Sequence, residues 1–187
     1  MESMNERLTK AIMACLFAAL ISIGAYIAIP IPGTPVPIVL QNMFIILAAF
    51  ILGPWWGLAA VVFYLVLGAV GMPVFSGGTG GLVKFAGPTG GYLIGYIPAV
   101  VAMGLLSRLG KSRWYFNMLA GIAGMAIVYF FGVARLKAVL HVDWAKALAT
   151  GLIPFIPGDI AKIAVAGILA PPILKALSQI EQQSTNA

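Results

Sequence analysis

The chain has 187 residues, 61% of them hydrophobic and only 9% charged, with a formal net charge of +6. Soluble domains carry about 25% charged residues, and a unit this small cannot hide so much apolar side chain from water, so its solvent is lipid. The basic residues gather at the ends of apolar runs, which speaks for membrane topology rather than nucleic-acid binding, and the single cysteine, Cys15, excludes an internal disulfide and a thiolate metal site.

Arg7 and Lys10 open the chain ahead of a first apolar run. That run is longer than the core of a secretory leader and further spans follow, so it is expected to stay as a membrane helix. Residues 11–83 contain no Asp, Glu, Lys, Arg or His. Proline and glycine clusters divide them into three spans, roughly 8–29, 38–52 and 56–70. The first stops at residues 30–37 (PIPGTPVP), whose prolines remove backbone donors and cannot continue a helix. The second stops at Gly53-Pro54.

Residues 71–96, GMPVFSGGTGGLVKFAGPTGGYLIGY, hold nine glycines and one lysine. A linker between spans needs only a few turn residues. Glycine lets backbone fold tightly and lets a ligand approach bare amide groups, so this stretch reads as one wall of a small-molecule pocket. Thr79, Gly80 and Gly81 are candidate wall residues. Lys84 is either a surface lysine snorkelling to water or a partner for a ligand carboxylate. Thr89 is placed to cap the fourth span, 90–106. That helix start, with its free N–H groups, is also a possible anion site, and Tyr92 follows in its first turn.

A compact basic loop, 107–113, leads to a fifth span at 114–134. The polar segment 135–153 then contains a short helix from Asp143 to about residue 149, with Asp143 as its N-cap or a first-turn acid. The sixth span runs roughly 157–177, with a kink or end expected at Pro171-Pro172 and a frayed polar tail over 178–187. Six spans put Arg7, Lys10, Arg108, Lys111, Arg113 and Lys175 on one face. By the positive-inside rule both termini are cytoplasmic. Arg135, Lys137 and Lys146 depart from that rule, because they fall on the outer side. The whole of 1–187 is expected to form one all-α, six-helix membrane domain.

Asp159 and Lys162 stand three residues apart near the start of the sixth span, on one helical face. Intramembrane charges face each other or a cavity, so the pair is either a private ion pair or a ligand contact. Gln41 and Asn42 open the second span. Amides there either bond a neighbouring helix or, in the case of Gln41, meet a ligand from the outer side. The first span carries a stripe of small residues, Ala11, Ala14, Cys15, Ala18, Ser22 and Ala25, suited to close approach of another helix of this chain or of a partner. Gly110-Lys111-Ser112 resembles the end of a phosphate loop, but position 105 is leucine and a membrane helix precedes it. The lone histidine, His141, excludes a multi-histidine metal site, and no nucleophile stands beside a base.

Residues 71–75 (GMPVF), 80–81 (GG) and 87–92 (GPTGGY) together resemble the signature of the BioY family, biotin-binding substrate (S) components of energy-coupling factor (ECF) vitamin transporters. Residues 36–41 (VPIVLQ) are similar to that family's VPITLQ, with valine at 39 where threonine is usual. Residues 52–54 (LGP), 64–68 (YLVLG) and 154–162 (PFIPGDIAK) also fit. The resemblance implies an S-component bundle in the bacterial cell membrane, with no catalytic activity, metal or cofactor. Biotin would be bound near the outer surface, and the chain would dock on a transmembrane coupling protein driven by two cytoplasmic ATPases. Ala14 and Ala18 match the small-residue motif such components use for docking. Asp159 suits the two ureido N–H groups, and Lys162 or Lys84 the carbonyl or carboxylate. The rival readings are a self-sufficient carrier and a structural membrane protein without a ligand.

Overall fold

The computed structural model describes residues 4–111 and 113–185. Ser112 of the basic loop and the last two residues of the expected tail lie outside the described residues. Helix α1 (Met4–Tyr26) stops three residues earlier than the apolar pattern suggests. Ala28–Ile29 pair instead with Ile38–Val39 in a two-stranded antiparallel ribbon, Ala28 opposite Val39 and Ile29 opposite Ile38. The cause is local: Pro30 disfavours helical geometry in the residue before it.

Helix α2 is assigned as Gln41–Ala69, yet Gly53 inside it has φ 78° and ψ −172°. A side chain placed on Gly57 would come within 3.2 Å of the Ala48 carbonyl. In a straight helix those residues would be ~14 Å apart along the axis, so α2 folds back on itself at Gly53-Pro54. The two halves are the expected second and third spans. Arg108 donates to the Leu52 carbonyl at 3.3 Å, tying the elbow to α4 (Gly90–Leu109). A Cβ on Gly53 would overlap the Arg108 guanidinium, so glycine is required there by both space and conformation.

Among the described residues, five helices have the length and apolarity to cross a bilayer. Because the second folds back, the chain passes between the two faces six times. Helix α5 (Trp114–Leu140) runs six residues past the expected end, since residues 135–140 (RLKAVL) contain no breaker and Leu136 is fully buried. His141 ends it in the left-handed conformation. Helix α6 (Trp144–Gly151) follows, its Lys146 N–H donating to the Asp143 carboxylate at 2.7 Å, as expected of an N-cap. Helix α7 (Ile156–Thr185) starts where expected but extends eight residues past the expected end of the span. It continues through Pro171 and Pro172 and takes in the polar residues up to Thr185, so the prolines do not end it.

Ala14 and Ala18 are buried, 6% and 0% exposed, as part of the hydrophobic core. This corrects the expectation of a docking surface at these two residues. Further along α1, the missing side chain of Gly24 leaves room for the backbone of Gln41. Ala14 and Ala18 thus serve packing within this chain, where α1 lies chiefly against α2. The opposite face of α1 shows Ile12, Leu16 and Ile23, each at least half exposed, together with exposed Cys15 and Ala19.

Candidate functional site

The segment between α2 and α4 is folded tightly around Phe75. Phe75 exchanges backbone hydrogen bonds with Thr79, at 2.8 and 3.2 Å. Gly77 and Gly78 take positive φ in the turn between them. The Phe75 ring packs edge-on against Tyr64 and Phe85, with centroids 5.5 and 5.6 Å away. It fills the space left by the missing side chain of Gly68. One helical turn, α3 (Val83–Ala86), then carries Lys84. The segment is fastened at both ends: Tyr26 donates to the Pro73 carbonyl and Arg135 to the Ala86 carbonyl.

Beneath it lies a cavity of about 670 Å³, walled by the proline loop, the glycine-rich segment and the outer ends of α2, α4, α5 and α7. Its walls are largely apolar and aromatic, including Phe75, Tyr92, Leu93 and Met125. Polar groups converge at one place. Asp159, in the first turn of α7, has a side chain only 5% exposed. It accepts from the Lys162 ammonium at 2.7 Å, from the Asn42 amide at 3.3 and 3.4 Å, and from the Tyr129 hydroxyl. Tyr96 donates to the Asn42 side-chain oxygen at 2.8 Å, which fixes that amide with its nitrogen towards the carboxylate. Elements α2, α4, α5 and α7 thus meet at a single buried acid. A buried carboxylate needs such donors, because desolvation without them is costly.

Of the residues singled out from the sequence, Asp159, Lys162, Lys84, Tyr92, Gln41, Thr79 and Thr89 line the cavity. Gly80 and Gly81 do not. A side chain on Gly80 would collide with the Met72 carbonyl, and the Gly81 N–H is spent on the Gly68 carbonyl at 2.7 Å. Both glycines serve the fold of the segment. Thr89 stands at the cap position of α4 but makes no capping hydrogen bond with its side chain. The N–H groups of Gly90 and Tyr92 bond the carbonyls of Gly87 and Thr89, so this helix start is less open to an anion than expected. Tyr92 presents its ring to the cavity while its hydroxyl donates to the Gly151 carbonyl at 2.7 Å. Gln41 is 2% exposed, and its amide nitrogen has no hydrogen-bond partner among the described residues.

Sequence reasoning did not place Asn42, Tyr96 and Tyr129 in the site. Asn42 was visible as an amide at the head of a span. Tyr129 gave no such signal, since it sits in an aromatic run, 129–131 (YFF), thirty residues before its partner.

The BioY family model matches residues 1–179. The chain belongs to the BioY family. The biotin transporter BioY of Thermotoga maritima is 43% identical over 162 residues, covering 86% of this chain and 93% of the relative. A probable biotin transporter BioY of Pyrococcus horikoshii is 41% identical, covering 84% and 91%. Among solved structures, the S-component for biotin from an ECF-type ABC transporter superposes with a TM-score of 0.87 at 31% identity, covering 94% of this chain and 95% of that one. The site itself holds a carboxylate, an ammonium, amides and phenols. This BioY protein is a multi-pass membrane protein and not an enzyme.

Proposed function

We propose that the chain is the biotin-binding substrate component of an ECF-type vitamin importer, and that its cargo sits in the cavity over Asp159. The observation that carries this reading is the convergence of four helices on one buried carboxylate at the floor of an outward cavity with aromatic walls. Biotin has three parts: a ureido ring with two N–H donors and a carbonyl, an apolar bicycle, and a carboxylate tail. Asp159 accepts from the ureido N–H groups, and Lys162 or the Asn42 amide donates to the carbonyl. Phe75 and Tyr92 pack the bicycle. Lys162 is already held at 2.7 Å from Asp159, so both act on the ring end, which leaves Lys84 for the tail. Gln41, Thr79 and Thr89 complete the polar edge.

The test is biotin binding to purified Asp159→Asn. A neutral amide accepts one ureido N–H but turns its own N–H against the other, so affinity should fall about 100-fold, in line with 2–5 kcal/mol for truncating a buried charged contact. Parent-like affinity would remove Asp159 from the site.

Transport is then energised by a transmembrane coupling protein with two cytoplasmic ATPases. Since Ala14 and Ala18 are covered, we place the docking contact on the exposed face of α1, where Cys15 and Ala19 are the small residues. Cys15→Trp should abolish coupled uptake in reconstituted vesicles and leave biotin binding intact. Uptake by the chain alone would favour a self-sufficient carrier instead.

A further inference from the structure

A second concavity, of about 500 Å³, lies between α5, α6 and α7. Apart from Asp159 and the polar tips of Tyr129 and Trp144, its lining is apolar. Ile122, Phe130, Trp144 and Ile160 on its rim are each more than half exposed. On α5 the groove residues Ile122, Ala126, Phe130 and Val133 recur at helical spacing, and the next residue in that series is Lys137. The Lys137 ammonium sits over the Trp144 ring, 5.1 Å from its centroid, so it stands at the outer end of the groove. Ile122 and Lys137 are ~22 Å apart along the helix axis, somewhat more than one leaflet's ~15 Å share of the hydrocarbon. The groove therefore runs from mid-bilayer to headgroup level and ends in a cation beside an interfacial tryptophan.

We infer that this groove is a binding site for one anionic phospholipid of the outer leaflet, its acyl chain against α5 and α7 and its phosphate on Lys137. Charge complementarity favours a lipid over a partner helix. Lys137 breaks the positive-inside pattern, and an anion at its own depth would offset that. The apolar channel beneath it takes a flexible chain. Met125, Tyr129 and Asp159 line both concavities, so a seated chain also closes the lateral wall behind the carboxylate.

The test is native mass spectrometry of the purified full-length chain titrated with dioleoylphosphatidylglycerol. One molecule should bind saturably and survive activation that strips other lipid. Lys137→Gln should weaken it about fivefold, the usual effect of one lysine near an anionic headgroup. Ala126→Trp, which fills the groove from an exposed position, should weaken it at least as much, with the melting temperature of each variant reporting on folding. A phosphatidylglycerol carrying a photoreactive group at its acyl end should label α5 and α7 near Ile122 and Ile160. Binding without saturation, equal binding to both folded variants, labelling spread over the whole lipid face, or a dimer closing this face would each overturn the proposal.

Discussion

Glycine at the helix contacts of the bundle and glycine at the turns of the outer segment serve different ends. Along the helix contacts, glycine supplies nearness. A side chain on Gly104 would lie 2.5 Å from the Pro54 nitrogen, and one on Gly124 would strike Met103. In the outer segment, Gly71 and Gly77 have nothing within 4 Å of an added Cβ but take φ of 104° and 73°. At these two turns glycine supplies conformation. Polar groups divide in the same way. The inner half holds a closed contact, the Ser107 hydroxyl donating to the buried Asn117 side-chain oxygen at 2.6 Å. The outer half gathers its polar groups at the wall of a cavity. One end is built to be filled by the chain itself and the other to be filled by something else.

Substitutions at the two ends should therefore fail differently. The largest effect belongs to the inner half. Gly104→Val forces side-chain atoms onto backbone that cannot yield and should cost about 3 kcal/mol, the upper range for overpacking. It should read as a lower melting temperature and less folded protein, with unchanged biotin affinity in the folded fraction. Next comes the acid–base pair. Asp159→Asn strands a buried ammonium and should destabilise the fold as well as remove binding. The double variant Asp159→Asn, Lys162→Met should recover melting temperature but not biotin. Recovery of both by isothermal titration would mean the pair is helix glue and would erase the contrast between the halves.

Smaller effects sharpen the comparison. Tyr129→Phe removes one donor to Asp159 and should weaken biotin about twentyfold, within the 1.5–3 kcal/mol usual for a hydrogen bond to a charged group. Lys84→Ala should cost about fivefold for biotin and little for its methyl ester, whose tail carries no charge, as measured by competition binding; the figure is that of a solvent-screened ion pair. Gly77→Ala should cost only about 1–2 kcal/mol of stability, the strain of a positive φ, with no steric penalty added.

Much of this architecture was legible beforehand because lipid enforces it. Every backbone group inside the bilayer must be bonded within the chain, so apolar length and proline or glycine breaks translate almost directly into helices. The fold-back at Gly53-Pro54 and the cap at Asp143 followed from such local rules. The prolines at 171 and 172 do not end α7, because a local rule for helix ends does not say whether the surrounding structure tolerates lost donors. Asp159 and Lys162 stood out because a charge in a span is costly wherever it points. Their companions did not, because a phenol or an amide in a span is ordinary until its neighbours are known.

Amino-acid order alone set where the chain enters and leaves the membrane, which face holds the basic loops, and which stretch departs from plain span-and-turn chemistry, since each rests on short-range sterics or on transfer between water and lipid. Tertiary packing alone decided that Asn42, Tyr96 and Tyr129 meet at Asp159, that Ala14 and Ala18 turn inward, and that Gly80 and Gly81 support the segment without lining the cavity. Those outcomes depend on how helices rotate against one another, and a rotation that moves a side chain from lipid to cavity leaves no trace in the apolar pattern of a helix that is hydrophobic all round.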